Sequence, residues 1–267
     1  MAQHSQVLIT GASSGIGRAY ARRLARDGYT PILVARRLDR LEVLAKELED
    51  VYGVRAEPVS LDLGLPAELA QLTTRLRESE PLAMLVHSAG FNTPRTFVDQ
   101  DSSGIGQMVS LHSVAGMQLA HAALPGMLRA GRGAIVFLSS LAAFFTATGY
   151  VPYSATKSFL NMLAEGLAAE LAGTGVRVQA VCAGLVRTAF LETADYADFN
   201  PYSRVPDWVF MSPESVVDEA LGALGKGRTI FVPGARYRAF VRAMHTPILG
   251  RLLVHAVQRL SPRRPSK

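Results

Sequence analysis

The chain has 267 residues, 49% of them hydrophobic and 19% charged; this suits one large domain, at most with a small appendage, and excludes a disordered chain. Its one cysteine, Cys182, excludes an intrachain disulfide and a disulfide-built scaffold. The formal net charge of +6 admits an anionic partner, but the arginines are scattered along helical stretches, so nucleic acid is not an expected partner.

Residues 1–6 lack a basic segment followed by an apolar one, so no signal peptide is expected. No run reaches the ~20 apolar residues of a membrane-spanning helix, and the expected location is the cytoplasm. Residues 6–10 form a short apolar run that reads as a buried strand. Gly11-Ala12-Ser13-Ser14-Gly15-Ile16-Gly17 follows, then an apolar-periodic helix over 18–27 with Gly28 as its stop, then a second buried strand over 32–35. Strand, glycine-rich turn, helix and strand together make the setting that binds a dinucleotide. Glycines let the backbone approach a pyrophosphate, and the helix N-terminus offers it free N–H groups. The candidate contacts are Gly11, Ser13, Ser14, Gly15, Ile16 and Gly17. The second strand runs into Ala35-Arg36-Arg37, where an NAD-preferring fold places a carboxylate for the ribose 2′-hydroxyl. Arginine there suits a 2′-phosphate, so the expected cofactor is NADP(H). Arg36 is the first candidate for that phosphate; Arg37 is a second, open to the simpler role of starting the next helix.

The alternation continues with a helix over 39–52 and a strand over 55–60. Asp62, just past that strand, is a candidate for the adenine or else caps a turn. A helix over 67–79 and a strand over 82–86 lead to His87-Ser88-Ala89-Gly90. Residues 105–130 read as one long helix. A fifth strand over 134–138 delivers Ser140 to a C-terminal strand end, the edge where open α/β sheets place their sites. A helix over 151–171 and a sixth strand over 176–182 follow. Residues 187–211 break the rhythm with Phe190, Tyr196, Phe199, Tyr202, Trp208 and Phe210; they read as a substrate lid, with packing on a partner subunit as the alternative. Ser212 and Pro213 start another helix, and 229–232 read as a seventh strand. Residues 234–267 form a basic amphipathic extension broken at Pro247. Three readings of it stay open: packing on the core, packing on another subunit, or weak contact with a membrane surface. The fold expected for residues 1–267 is a single α/β domain, a Rossmann-like, doubly wound, seven-stranded parallel sheet flanked by helices.

Tyr153 and Lys157 lie four residues apart on the helix over 151–171, hence on one face. A lysine cation ~4 Å from the phenol, at an effective dielectric of ~20, favours the phenolate by roughly 4 kcal/mol, or about three pKa units. That would bring the tyrosine toward general acid/base work. Ser140 stands thirteen residues before Tyr153 and meets the pair only if the chain loops back.

The elements Thr10-Gly11-x-x-x-Gly15-x-Gly17, Asp62, Ser88-Ala89-Gly90, Ser140, Tyr153-x-x-x-Lys157 and a segment from Gly184 to Thr188 stand in the order and spacing of the short-chain dehydrogenase/reductase family. The chain resembles that family over residues 5–233. The resemblance implies that Tyr153 is the general acid/base, that Lys157 lowers its pKa and binds the nicotinamide ribose, and that Ser140 orients the carbonyl oxygen. It implies direct hydride transfer between nicotinamide and substrate, with Ser88, Ala89, Gly90, Gly184, Val186 and Thr188 along the cofactor. No metal is expected. A homodimer or homotetramer would pack through the helices at 105–130 and 151–171.

The chain departs from the family at three places. The usual Asn-Asn-Ala-Gly is His87-Ser88-Ala89-Gly90, and the usual Pro-Gly is Ala183-Gly184. His112 stands where the family has an asparagine that holds a water in a proton relay to the lysine. A histidine both donates and accepts, so His112 either sustains a relay with altered pH dependence or blocks the water. The expected function is NADP(H)-dependent interconversion of a ketone and a secondary alcohol. The aromatic stretch and apolar tail suggest a lipophilic substrate, and reduction of its carbonyl is expected because the family draws on NADPH as the reducing pool. Two alternatives keep the fold: an NADP(H)-binding regulatory or scaffold protein without turnover, and non-redox chemistry at the same Tyr–Lys site.

Overall fold

Seven strands form one parallel sheet in the order β3-β2-β1-β4-β5-β6-β7. They are β1 (Gln6–Thr10), β2 (Thr30–Ala35), β3 (Glu57–Ser60), β4 (Met84–His87), β5 (Gly133–Ser140), β6 (Val176–Ala183) and β7 (Ile230–Phe231). The structure, a computed structural model, describes residues 5–188, 190, 205–244 and 246. The chain builds outward from β1 to β3, crosses back to β4, and builds outward the other way. β1 and β4 are neighbours whose following segments leave in opposite directions, which opens the crevice where a doubly wound sheet holds its ligand. The register pairs Thr10 with His87, His87 with Phe137, and Ser140 with Ala183, so these strand ends line one edge.

Both faces of the sheet are covered, which is why its strands read as nearly continuous apolar runs. Val7 and Ile9 face one core, shared with α1 (Gly15–Arg26), α2 (Leu38–Tyr52) and α7 (Pro213–Gly225). Leu8 points the other way, into a core shared with α3 (Pro66–Glu78), α5 (Ala115–Ala130) and α6 (Val151–Glu170). Each fully buried aliphatic side chain contributes about 1.5–3 kcal/mol, so the two cores hold the strand ends in place. α7 starts where the sequence predicts: Ser212 Oγ accepts the Ser215 amide at 3.1 Å, with Pro213 in the first turn.

The expected helix over 105–130 differs in an informative way. It begins earlier, as α4 (Ser102–Val109), and meets α5 through a π turn at Ser110–Val114. The Ala115 amide bonds Ser110 O, five residues back, which releases Leu111 O from the helical ladder. One inserted residue leaves apolar periodicity almost unchanged, so the pattern did not show it. β3 starts two residues later than expected and β7 keeps only two residues, since its ladder with β6 holds just Ala180–Ile230 and Val181–Phe231. The first part of the extension is α8 (Ala235–Met244), and its Tyr237 is buried in the core. The rest of the extension beyond residue 246, and residues 189 and 191–204 of the expected lid, lie outside the described residues. Among the described residues no helix is long and apolar enough to cross a membrane.

Gly17 shows how tightly the first turn is built, since a Cβ there would collide with the carbonyl of Gly11. That obstacle is main chain and cannot swing aside. Gly17→Ala is expected to lose about 1–3 kcal/mol of stability, as overpacking does, and to abolish dinucleotide binding. Thermal melts and a cofactor fluorescence titration check it; wild-type binding in the variant would show that the turn tolerates opening.

Candidate active site

The glycine turn sits at the crevice because Gly11 (φ 66°) and Gly15 (φ 55°) adopt backbone angles that other residues avoid. A Cβ on Gly11 would lie 2.8 Å from the Ala89 amide nitrogen, and one on Gly15 would lie 3.0 Å from Thr188 Cγ2. The turn is thus wedged between Ser88 and Ala89 on one side and Thr188 on the other. Ser13, Ser14 and Ile16 line the cleft with it, as do Gly90, Gly184 and Val186. Val186 forms a bridge with Met211, and the Tyr237 ring lies against Gly184 where a Cβ would otherwise be. The Tyr237 hydroxyl donates to Val209 O at 2.6 Å and accepts from the Leu185 amide at 3.0 Å, which pins α8 over this end of the cleft.

Both arginines after β2 line the cleft, but they differ in how they are held. Arg37 Nη2 donates to Ser13 Oγ at 2.9 Å, joining the glycine turn to the start of α2. Burial lowers the Arg37 pKa, as do the charges of Arg40 and Arg36. The Arg36 side chain is 76% exposed and lies 3.8 Å from Asp62 Oδ2. The structure therefore gives Arg37 more than a helix-starting role. Asp62 caps a turn, its Oδ1 accepting the Gly64 amide at 2.9 Å, while also lining the cleft. These groups suit a dinucleotide phosphate: the glycines let the turn pack closely on Ala89 and Thr188 at the head of α1, and the Arg37 guanidinium and the Ser13 hydroxyl line the cleft beside it.

Ser140 ends β5, and its Oγ accepts the Ala142 amide at 3.1 Å. The chain turns back through a short 3₁₀ turn at Leu141–Ala143 into α6, which brings Ser140 and Tyr153 together in the cleft, where the Ser140 hydroxyl lowers the phenol's pKa. Lys157 Nζ donates to Leu138 O at 2.7 Å and stands 5.5 Å from the centre of the Tyr153 ring. The expected pull of the lysine on the phenol is not what dominates. Burial pushes Tyr153 from 10.0 up to about 12, against the Ser140 hydrogen bond that lowers it. Burial also pushes Lys157 from 10.5 down to about 7. For both groups the loss of hydration on burial is the largest cause of the shift.

His112 lies in the π turn and is fully buried. Its Nε2 accepts the Phe91 amide at 3.0 Å, its Nδ1 lies 2.9 Å from Thr156 Oγ1, and its ring meets Tyr153 edge-on at 5.8 Å. His87, also buried, lies 3.1 Å from Thr10 Oγ1 through Nδ1 and 3.1 Å from Leu111 O through Nε2. Burial, then the Lys157 charge, lowers His87 to about 4 and His112 well below the ordinary imidazole value. The Thr10 hydroxyl oxygen accepts the Ser88 and Ala89 amides at 3.1 Å each.

Beyond Tyr153 the cleft, of about 850 Å³ in all, is walled by aromatic groups. Phe145, Tyr150, Phe190, Trp208 and Phe240 line it, with Phe145 and Phe240 in edge contact at 5.9 Å. Phe190 and Trp208 were expected from the aromatic stretch. Phe91, Phe145, Tyr150, Tyr237 and Phe240 were not, because they come from four separated segments. Their only trace in the sequence is an aromatic residue soon after a strand or within the tail.

The lysine allows a test with a definite sign. Its folded pKa of about 7 lies below the ordinary 10.5, so the unfolded chain holds that proton more firmly. The penalty for burying the cation is full below the folded value and fades as pH rises from about 7 to 10.5. Wild type is expected to gain stability relative to Lys157→Met across that interval in chemical unfolding. A difference that stays constant with pH would remove the buried-cation account.

The sequence profile described as short chain dehydrogenase matches residues 5–197. A short-chain dehydrogenase from Sphingobium yanoikuyae, solved in complex with NADPH, superposes with a TM-score of 0.80 at 35% identity, covering 98% of both chains. The bulky-bulky ketone specific alcohol dehydrogenase of Comamonas testosteroni superposes with a TM-score of 0.76 at 31% identity, covering 98% of this chain and 96% of that one. The very-long-chain 3-oxoacyl-CoA reductase of Anas platyrhynchos is 29% identical over 225 residues, 82% of this chain and 68% of its own length. The chain belongs to the short-chain dehydrogenase/reductase family of oxidoreductases.

Proposed function

We propose that this protein is an NADPH-dependent reductase of bulky, lipophilic ketones. The observation that carries the reading is one continuous cleft with three consecutive zones. Arg37 and Ser13 stand at one end, Ser140, Tyr153 and Lys157 in the middle, and the aromatic wall at the other end. The first zone holds the 2′-phosphate, the glycine turn and α1 N-terminus hold the pyrophosphate, and Thr188 and Val186 flank the nicotinamide. When bound, NADPH supplies the hydride. The NADPH complex of the Sphingobium relative and the ketone specificity named for the Comamonas relative support this reading.

Ser140 donates to the substrate carbonyl oxygen and sets its position. Tyr153 gives its proton to the same oxygen as negative charge develops there. Tyr153, whose pKa burial raises to about 12, carries its proton at neutral pH and has it to give to that oxygen. Lys157 binds ribose hydroxyls and stabilises the phenolate left behind. The aromatic wall sheds water around a bulky substrate and strengthens those hydrogen bonds.

NADPH oxidation with a panel of bulky aromatic and alicyclic ketones tests the reading. Turnover is expected in wild type and a loss of about a thousandfold or more in Tyr153→Phe, since removing the acid removes general acid catalysis. NADPH binding without turnover on any ketone would overturn the reductase reading in favour of a binding protein. Arg37→Ala is expected to weaken NADPH about ten- to hundredfold with NADH little changed, a charge-assisted bond being lost. Arg36→Ala is expected to do less; the reverse order would return the phosphate to Arg36.

The same reading includes a homo-oligomer. Val151, Phe159 and Met162 recur at helical spacing on the outer face of α6, and Met162 is 69% exposed. Val109, Met117 and Leu128 are likewise exposed on α4 and α5, and α4 and the π turn pack on α6. Two such apolar helix faces bury one another in a symmetric pair. Met162→Glu is expected to shift light-scattering mass toward the monomer. A wild type that is already monomeric at micromolar concentration removes the oligomer.

A further inference from the structure

Two imidazoles flank the π turn, and the hydrogen-bonding rules settle where each keeps its proton. Thr10 Oγ1 accepts from two amides, Ser88 and Ala89, so its own hydrogen goes to His87 Nδ1. His87 Nε2 faces Leu111 O, which only accepts, so the ring proton sits on Nε2. For His112 the order reverses. Phe91 presents an amide N–H to Nε2, which must be bare, and Nδ1 carries the proton toward Thr156 Oγ1. The Thr156 hydroxyl then donates to Tyr153 O at 2.8 Å.

Each chain of bonds begins and ends on main-chain groups. One runs from the Phe91 amide through His112 and Thr156 to the Tyr153 carbonyl. The other runs from the Ser88 and Ala89 amides through Thr10 and His87 to Leu111 O. Neither reaches the Tyr153 phenol or the Lys157 ammonium. We propose that His87 and His112 are a pair of positioning residues, neutral imidazoles of opposite tautomer that tie the loop after β4 to the π turn and to the helix of Tyr153 respectively, and carry no proton to or from Tyr153.

The fit around the rings supports that role. Leu111 O is the carbonyl released by the π turn, and His87 is its partner. A Cβ on Gly116 would lie 2.9 Å from His87 Cδ2, and one on Gly90 would lie 2.9 Å from His112 Nε2. Each imidazole is thus seated closely against a glycine, where a larger residue would displace it. Lys157 is the cation whose charge acts on both rings, Tyr153 packs on His112, and His87 also lies near the His112 main chain. A second proton on either ring would set an N–H against the Phe91 amide or against a Thr10 oxygen that already accepts two.

Long-range ¹⁵N–¹H spectra of the whole protein test the tautomers directly, with signals assigned from His87→Gln and His112→Gln. His87 is expected to be protonated at Nε2 only and His112 at Nδ1 only, unchanged between about pH 6 and 9. The opposite tautomer, or titration of either ring in that range, would overturn the proposal. Its kinetic arm rests on the reductase reading and uses His112→Phe, which keeps the ring edge against Tyr153 but has no nitrogen. kcat is expected to fall about ten- to hundredfold through misplaced groups, with KM for NADPH, the pH profile of kcat and the solvent isotope effect unchanged. An unchanged kcat refutes positioning, and a displaced pH profile or altered isotope effect restores a proton route. Thr156→Val, which cuts the link to the Tyr153 carbonyl without touching the imidazole, is expected to show a smaller loss of the same kind. If wild type reduces no ketone, the reductase reading fails on its own while the spectra still decide the tautomers.

Discussion

The hydroxyl of Thr10, the last residue of β1, holds three groups at once: the Ser88 and Ala89 amides and the His87 ring. It stands where β1 and β4 part, the point at which a doubly wound sheet must open. The glycine turn begins at the next residue and packs so closely on Ala89 that no side chain fits between them. Through His87 the same hydroxyl reaches the π turn, and from there His112 and Thr156 reach the backbone of Tyr153. The cofactor end and the catalytic end of the cleft are therefore joined by buried hydrogen bonds, which are costly to break because the groups freed would have no water.

Burial also decides the charge state of the catalytic pair. Coulomb attraction between a phenolate and an ammonium argues for a lowered tyrosine pKa, and distance alone supports that argument. Both groups lose hydration in the folded chain, however, and both move toward their neutral forms. Burial thus favours a proton-bearing Tyr153 beside a Lys157 whose charge it disfavours. Ser140 is the one neighbour that draws the phenol back down.

The aromatic end of the cleft is assembled differently from the glycine-turn end. The glycine turn, Arg36 and Arg37 are close in sequence, and a local motif describes them. The aromatic wall draws Phe145 from the turn after β5, Tyr150 from the start of α6, Trp208 from the segment before α7, and Phe240 from α8. α8 reaches that wall because Tyr237 anchors it against Gly184 and Leu185. The described part of the basic extension thus packs on the core as a wall of the cleft.

Apolar runs buried on both sides, punctuated by glycines, determine a parallel sheet with helices on either face, and the sequence by itself carried that much. It also carried the glycine turn and the Tyr153–Lys157 pair, because their spacing is set by local backbone geometry, while Ser140 was legible only as a strand end and through the resemblance to the family. Tertiary structure alone decided that Arg37 rather than Arg36 leans on the glycine turn, since helix start and side-chain direction look alike in sequence. It decided the roles of His87 and His112, whose partners stand 24 to 77 residues away for the one and 21 and 44 for the other. And it decided the protonation of the catalytic pair, because desolvation depends on everything packed around a group and spacing records only its nearest partner.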